Sequence, residues 1–415
     1  MGGWGLFEDF LKDLLSVGRL TVRLPNGGMR TYGDGTGPEV QVRLDARGIR
    51  QILANPDLGM GEAYMDGHAV IEQGDIWQLL EIVGRNQQLR PYQAPGLFKR
   101  ASIGVRRWLE QNNDRRAARR NASHHYDLSF DLYRRFLDRD LQYSCAYFAH
   151  PDMTLEEAQA AKKAHIAAKL RLKPGMKVLE IGCGWGGLAL ELARTFDVEV
   201  LGISLSKEQV SVANQRAEAA GLNDRVKFQL IDFRDVRGSY DRVVSIAMFE
   251  AVGVPNFGRY FRDIRRLLTD DGVALVHSIG RRTPPSTTSP WTRKYIFPGG
   301  YIPALSETLA SIEKTPFWVT DIEILRLHYA ETLRHWRLRF WAEREAIAKV
   351  YDERFCRMWE YYLAGAEMAF RYGDQMIFQI QLAKQRTALP ITRDYMVEDE
   401  RARPGSAFAH VRAAE

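Results

Sequence analysis

Val178-Leu179-Glu180-Ile181-Gly182-Cys183-Gly184-Trp185-Gly186-Gly187 is the stretch on which the fold turns. It closes a short apolar strand, KVLEIG (177–182), and opens a helix. Glycines suit the turn between them because a Cβ would hold a ligand away from the backbone. In an open α/β sheet ligands bind beyond the carboxyl ends of the strands, where the strand order reverses.

Working outward, further short apolar strands read at VEVLGIS (198–204), VKFQLID (226–232), DRVVSIAMF (241–249) and GVALVHSIG (272–280), with helical segments between them. Such alternation implies a doubly wound, mostly parallel sheet. MIFQIQLAK (376–384) alternates apolar and polar residues and reads as an antiparallel edge strand. Residues 325–371 read as long, aromatic-rich helices inserted to cap a pocket. A glycine-rich βα turn alone does not separate NAD, FAD and S-adenosylmethionine sites. Here Gly182, Gly184 and Gly187 formally fit the dinucleotide spacing, but the second strand ends in Gly202-Ile203-Ser204, without the carboxylate that holds an NAD ribose. The turn therefore suits S-adenosylmethionine, which has no pyrophosphate to cradle. Ser204 and Gln209 can bond its ribose hydroxyls; equally, Ser204 or Ser206 can cap the next helix. Phe233, in Asp232-Phe233-Arg234 after the third strand, falls where the adenine would lie. The expected fold is a class I Rossmann-like methyltransferase with a smaller N-terminal α+β domain and a helical insertion.

The chain has 415 residues, 45% of them hydrophobic and 27% charged, enough for two or three packed domains. We expect an accessory, lipid-binding domain at 1–90, a basic linker at 91–122, the catalytic domain at 123–389 and a poorly ordered tail at 390–415. In the first domain Phe7, Phe10, Leu11, Leu14 and Leu15 form one apolar helical face, to be packed on its own domain or laid on lipid. Leu20 to Leu44, with its NGG turn, reads as hairpins. The start of the chain lacks the basic and apolar regions of a signal peptide, and no apolar run is long enough to span a bilayer. The net charge of +6 favours anionic partners without choosing among them. In the linker, Lys99, Arg100, Arg106, Arg107, Arg115, Arg116, Arg119 and Arg120 face only Glu110 and Asp114. Such a run is a solvated face or a surface for anionic headgroups. Cys145, Cys183 and Cys356 show neither a CxxC pair nor metal-ligand spacing, so we expect reduced thiols, no metal and a cytoplasmic protein.

Four segments in order carry a more specific signal: His125-Tyr126-Asp127-Leu128-Ser129 with Tyr133 and Phe136-Leu137-Asp138; Tyr143-Ser144-Cys145-Ala146-Tyr147-Phe148; the glycine turn with Gly202-Ile203-Ser204-Leu205-Ser206; and Met248-Phe249-Glu250-Ala251-Val252-Gly253 with His277-Ser278-Ile279-Gly280. Together, from about 120 to 385, they resemble the cyclopropane-fatty-acyl-phospholipid synthase family, which is related to mycolic acid cyclopropane synthases. The chain departs from that pattern at Phe130 and Leu132, where the family usually has a polar residue and an aromatic. The resemblance implies transfer of a methylene unit from S-adenosylmethionine to the cis double bond of an unsaturated phospholipid acyl chain. It also implies a bound bicarbonate as base, with Cys145, Glu250, His277, the backbone of Ile279, and Tyr329 as its ligands. The cofactor would be held by Tyr143, Ser144, Gly182, Gly184, Ser204, Gln209, Phe233 and Arg234. Peripheral attachment to the inner membrane face through anionic headgroups is implied, and a homodimer is allowed.

That chemistry needs a close anionic base and a dry site, because water would capture the carbocation. Phe249, Trp336, Phe340 and Trp341 are candidates to face the cation. Glu250 would be protonated or would orient His277. Taken singly, a lone cysteine is usually a small buried hydrophobe, Glu250 can cap a helix, and His277 can be a satisfied core histidine. Two other readings compete. The same scaffold can leave a methyl or methylene branch without closing a ring. In a different class, the basic linker would bind nucleic acid in a nucleic-acid methyltransferase, or the chain would be a non-catalytic lipid-binding protein. SIAMFEAVG stands where amino-methylating enzymes carry an NPPY- or DPPY-type segment, and no RNA-binding module is evident, so no nucleic-acid partner is expected.

Overall fold

The computed structural model describes residues 2–89, 111 and 130–402. The basic linker (Gln111 apart), the segment His125 to Ser129 and the end of the tail lie outside the described residues. The chain divides into two compact units.

The first unit comprises Met1–Ala101, Thr288–Pro298 and Leu333–Gln375. Its opening helix, Gly2–Leu14, buries Phe7 and Leu11, followed by Leu15, in the unit's core; Phe10 and Leu14 pack partly against it. Of the two readings of this face, the structure shows packing on its own unit. Strands β1 (Arg19–Arg23) and β2 (Met29–Tyr32) form a hairpin through Asn26-Gly27-Gly28, where Gly27 takes φ of +82°. Strand β3 (Glu39–Leu44) departs from the hairpin expectation, pairing parallel to β1 with Leu20 opposite Val40. The reason is topological: β2 has returned the chain to the start of β1, so a strand laid on the other side of β1 must run with it. Strand β4 (Ala69–Gln73) completes the order β2-β1-β3-β4. The helical insertion expected at 325–371 groups for the most part with this first unit, as residues 333–375. Ala364 and Met368 of the helix Glu353–Arg371 join the same core as Leu79 and Leu80. Burial of that apolar stripe decides the grouping, not chain order.

The second unit comprises Ser102–Thr287, Gly299–Thr332 and Met376–Glu415. Its strands are β5 (Lys177–Ile181), β6 (Glu199–Ser204), β7 (Val226–Leu230), β8 (Tyr240–Ile246), β9 (Leu268–Arg281), β10 (Trp318–Leu325) and β11 (Gln375–Ala383). They form one sheet in the order β10-β11-β9-β8-β5-β6-β7. The pairings of β5 with β6 and β8, β6 with β7, and β8 with β9 are all parallel. The strand order therefore reverses between β5 and β8, beside the glycine turn. β11 is not the edge strand its alternation suggested: β10 pairs antiparallel on its outer side. Both faces of β11 are covered, so Gln379 and Gln381 are polar residues in a core strand, at 0% and 1% exposure. The helix Leu155–Leu170 starts in a capping box between Thr154 and Glu157 and lies buried along much of its length.

The tail beyond Pro390 is ordered further than expected. The helix Asp394–Arg401 buries Tyr395, Met396 and Glu400. Glu400 hydrogen-bonds His165 Nδ1, a charged contact that a scan for apolar runs does not register.

Candidate active site

At the glycine turn, the N–H groups of Gly182 and Cys183 both donate to Ile203 O, tying the turn to β6. Three of its glycines are required by the protein itself. A Cβ on Gly182 would come within 2.9 Å of Met248 Cβ, on Gly186 within 2.6 Å of the Phe228 ring, and on Gly187 within 2.4 Å of Gln142 Nε2. Gly184 differs. With φ of +51°, it has nothing among the described residues within 4 Å of its Cβ position. A small cradle faces outward there, as a ligand lying against the backbone requires.

Around the turn, Ser206 is the cap, accepting from Gln209 N–H at 3.2 Å. Ser204 Oγ accepts from Ser206 N–H and donates to Gln209 Oε1 at 2.8 Å. Ser204 and Gln209 thus form one hydrogen-bonded pair at the carboxyl end of β6. Phe233 stands edge-on to Tyr260, with centroids 5.5 Å apart. Arg234 is buried and grips Asp232 through both Nε (2.8 Å) and a terminal nitrogen (2.6 Å), which fixes the turn carrying Phe233. Tyr143 packs edge-on to Tyr133 at 5.2 Å. Ser144 Oγ accepts from Lys162 Nζ at 2.9 Å, and Gln142 Oε1 accepts from it at 2.6 Å. Burial draws the Lys162 ammonium down to about 8 and pushes the Glu180 carboxyl up to about 8.

Beyond β8, the short turn Phe249–Ala251 carries the half-buried Glu250. Its Oε1 accepts from Ile279 N–H at 2.6 Å, so that backbone donor is engaged with Glu250 rather than held open. Its Oε2 has no hydrogen-bond partner among the described residues, and burial pushes the carboxyl up to about 7. His277, which pairs with Ile246 in the β8–β9 ladder, is 1% exposed. Its Nδ1 faces Gln379 Nε2 at 3.1 Å, and its Nε2 has no partner among the described residues. Burial, followed by the nearby Lys162 and Lys169 charges, pulls His277 down to about 3, so the ring is neutral. Gln379 orients it, not Glu250.

The remaining two expected ligands come from the loop before the helix Leu155–Leu170 and from the start of the helix His328–Ala342. Cys145 is buried, its Sγ 3.2 Å from Ala146 O, and burial pushes the thiol well up. Ala146 N–H donates to Thr332 Oγ1 at 3.0 Å, and Phe148 N–H to His328 Nδ1 at 3.0 Å. The Cys145 segment is thus pinned to the helical turn that bears the buried Tyr329. Of the aromatic candidates, Phe249 lies in a core cluster with Phe257, Tyr260 and Phe261. Trp341 belongs to the first unit, donating to Glu360 at 3.1 Å; Trp336 and Phe340 are buried in the same helix.

The sequence reading passed over Lys162, Lys169 and Gln379. The two lysines sit in KKAHIAAKL, which looks like a solvated helix face, and Gln379 in a strand whose alternation looked half-exposed. The only available signal was a polar residue at a position that the strand order would bury.

Residues 113–380 match the family model described as mycolic acid cyclopropane synthetase, and 6–90 match a domain of unknown function. The chain is 38% identical over 336 residues to the cyclopropane-fatty-acyl-phospholipid synthase of Escherichia coli K12, covering 81% of this chain and 85% of that one. It is 36% identical over 377 residues to the tuberculostearic acid methyltransferase UfaA1 of Mycobacterium tuberculosis, covering 85% and 87%. Among solved structures, mycolic acid cyclopropane synthase CmaA1 complexed with SAH and CTAB superposes with a TM-score of 0.61 at 33% identity, covering 64% of this chain and 97% of that one. The seven-stranded order, the glycine cradle and these matches agree: the chain belongs to the mycolic acid cyclopropane synthetase family, a family of enzymes on the Rossmann-like S-adenosylmethionine-dependent methyltransferase fold.

Proposed function

We propose that the protein transfers a methylene unit from S-adenosylmethionine to the cis double bond of unsaturated phospholipid acyl chains, forming a cyclopropane. The observation that carries this reading is a pair of buried polar atoms without partners among the described residues, Glu250 Oε2 and His277 Nε2, on turn and strand joined by the Ile279 N–H. Desolvated polar groups of this kind are costly unless something else completes them. A neutral His277 offers Nε2–H to an anion, and a Glu250 carboxyl near neutrality accepts or donates beside it. The donor set therefore fits bicarbonate, held by Glu250, His277, Cys145 and Tyr329, with Ile279 orienting Glu250. When bound, S-adenosylmethionine supplies an electrophilic methyl to the alkene, and bicarbonate supplies the base for the proton whose loss closes the ring.

The chain's own residues do the positioning. Gly184 lets the cofactor approach the backbone, Gly182 keeps the turn closed against Met248 beneath it, and the Ser204–Gln209 pair faces its ribose. Phe233 faces the adenine, with Arg234 bracing that turn, and Tyr143 and Ser144 close the other side. Buried Cys145 and Phe249 keep this region apolar, which favours exclusion of water from the cation.

No described helix is long and apolar enough to cross a membrane. The basic linker is the segment suited to anionic headgroups, and through it the protein would meet acyl chains at the membrane surface. Flotation with anionic liposomes should weaken with salt; indifference to both lipid charge and salt would remove the peripheral reading.

The similarity to the tuberculostearic acid methyltransferase favours a second reading, methylation that leaves a branch without a ring. Incubation with S-adenosylmethionine and unsaturated phosphatidylglycerol liposomes separates the two. Gain of one CH2 with loss of the olefin signal and a cyclopropane NMR pattern supports ring formation. The same gain with an olefin retained supports methylene branching, and no gain with cofactor bound rejects both.

A further inference from the structure

His277 is held by groups that lie outside the predicted site. Lys169, in the last turn of the helix Leu155–Leu170, donates to Gln379 Oε1 at 2.7 Å and is ion-paired with Glu323. An ammonium has three donors and no acceptor, so the Gln379 atom that meets it must be the carbonyl oxygen. The amide nitrogen of Gln379 then faces His277 Nδ1, at 3.1 Å. An amide NH2 donates only, so Nδ1 must present its lone pair, and the ring proton must sit on Nε2.

We propose that Gln379 is a positioning residue that fixes His277 as a neutral Nε2–H donor, with Lys169 setting the orientation of Gln379. This rests on the reading above, in which His277 Nε2 meets the anion. A protonated His277 would set Nδ1–H against the Gln379 NH2, donor against donor, so the arrangement also resists the imidazolium. Lys169 is itself fixed. Glu323 accepts from both Lys169 and His165 Nε2 (2.6 Å), His165 Nδ1 meets Glu400, and Asp321 lies 3.7 Å from Lys169. A relay therefore runs from the C-terminal helix through β10 and β11 to His277 on β9. Reversing the Gln379 amide would turn its NH2 toward an ammonium that cannot accept, so the strands lock a single orientation.

The relay gives His277 one task. Its Nδ1 is occupied, so it takes no proton there, and Nε2 can only donate. It would hold an anion in place while another group accepts the proton. Outer partners that set a histidine tautomer in this way typically account for 10- to 100-fold in function when removed.

The test uses full-length protein labelled with 15N-histidine, with the His277 signal assigned by its loss in His277→Gln. Nitrogen–proton correlations report the tautomer without substrate. The expected wild-type result is an Nε2–H, Nδ1-lone-pair ring that does not titrate near neutrality. In Gln379→Glu the carboxylate accepts from Nδ1–H, so the ring should flip to Nδ1–H or become protonated. Turnover should fall about 10- to 100-fold in that variant while cofactor affinity holds. An Nδ1–H ring in the wild type, or an unchanged tautomer in Gln379→Glu, would overturn the proposal. A wild type that shows the Nε2–H ring but modifies no acyl chain would leave the positioning standing and defeat only the functional reading.

Discussion

Two buried carboxylates of the first unit and two of the second are held in opposite ways. In the first, Glu360 accepts from Tyr64 Oη (2.9 Å), Trp341 Nε1 (3.1 Å) and Arg344 Nε (2.5 Å), and Glu367 accepts from Arg337 (2.9 Å) and Arg371 (3.0 Å). In the second, Glu250 and Glu180 each keep a buried oxygen with no partner among the described residues, and burial raises both. A completed carboxylate is part of a scaffold; one with an open buried oxygen is costly unless something else completes it, which makes it a candidate for function.

The sharpest break of that comparison is in stability. Glu367→Ala strands Arg337 in the interior and should cost about 3–5 kcal/mol, read by denaturant unfolding. Glu250→Gln should cost far less, because it removes no completed pair. Equal losses would erase the distinction between the units.

Next comes the pH dependence. Glu250 ordinarily titrates near 4.5 and is raised to about 7 in the fold. The folded state therefore binds more protons than the unfolded chain between those values, and stability falls as pH rises through that window. The effect is on the order of 3 kcal/mol, complete above about pH 7 and absent below about 4.5. His277, lowered from 6.5 to about 3, has the opposite sign, with stability falling as pH drops below 6.5. Subtracting the profile of Glu250→Gln from that of the wild type should isolate the first slope; identical profiles would mean that Glu250 is not desolvated.

The smallest effect separates cradle from turn. Gly184→Ala and Gly175→Ala both place a Cβ in left-handed backbone with open space around it (φ +51° and +79°), so each should cost about 1–2 kcal/mol of stability. Only Gly184→Ala should weaken S-adenosylmethionine binding by calorimetry, by roughly tenfold or more, a loss of about 1.4 kcal/mol. Matching affinities in the two variants would remove the cofactor from the glycine turn.

Much of the second unit was legible in the sequence because its strands are short, β-branched and separated by turns. The expected 177–182 and 198–204 became Lys177–Ile181 and Glu199–Ser204, with the glycine turn between them and the following helix. Glu250 and His277 were legible only as members of a motif. The completion of His277 Nδ1 by Gln379 of β11, and the burial of His277 Nε2 and Glu250 Oε2, are set by tertiary packing that no local pattern reports. Three features were hidden for the same reason: Gln379 in a covered strand, Glu400 tying the tail to His165, and residues 333–375 packing on the first unit. Each is set by a partner far away in sequence, where tertiary context overrides local pattern.

The most direct measurement is product analysis of wild type and Glu250→Gln side by side, by mass spectrometry of acyl chains from unsaturated phosphatidylglycerol liposomes, with cofactor binding followed by calorimetry. The account predicts that the wild type adds one CH2 and consumes the olefin, while Glu250→Gln binds S-adenosylmethionine normally and loses turnover by about 10²–10⁴-fold. Near-normal turnover in Glu250→Gln, or a wild type that binds cofactor and leaves the acyl chains unchanged, would contradict it.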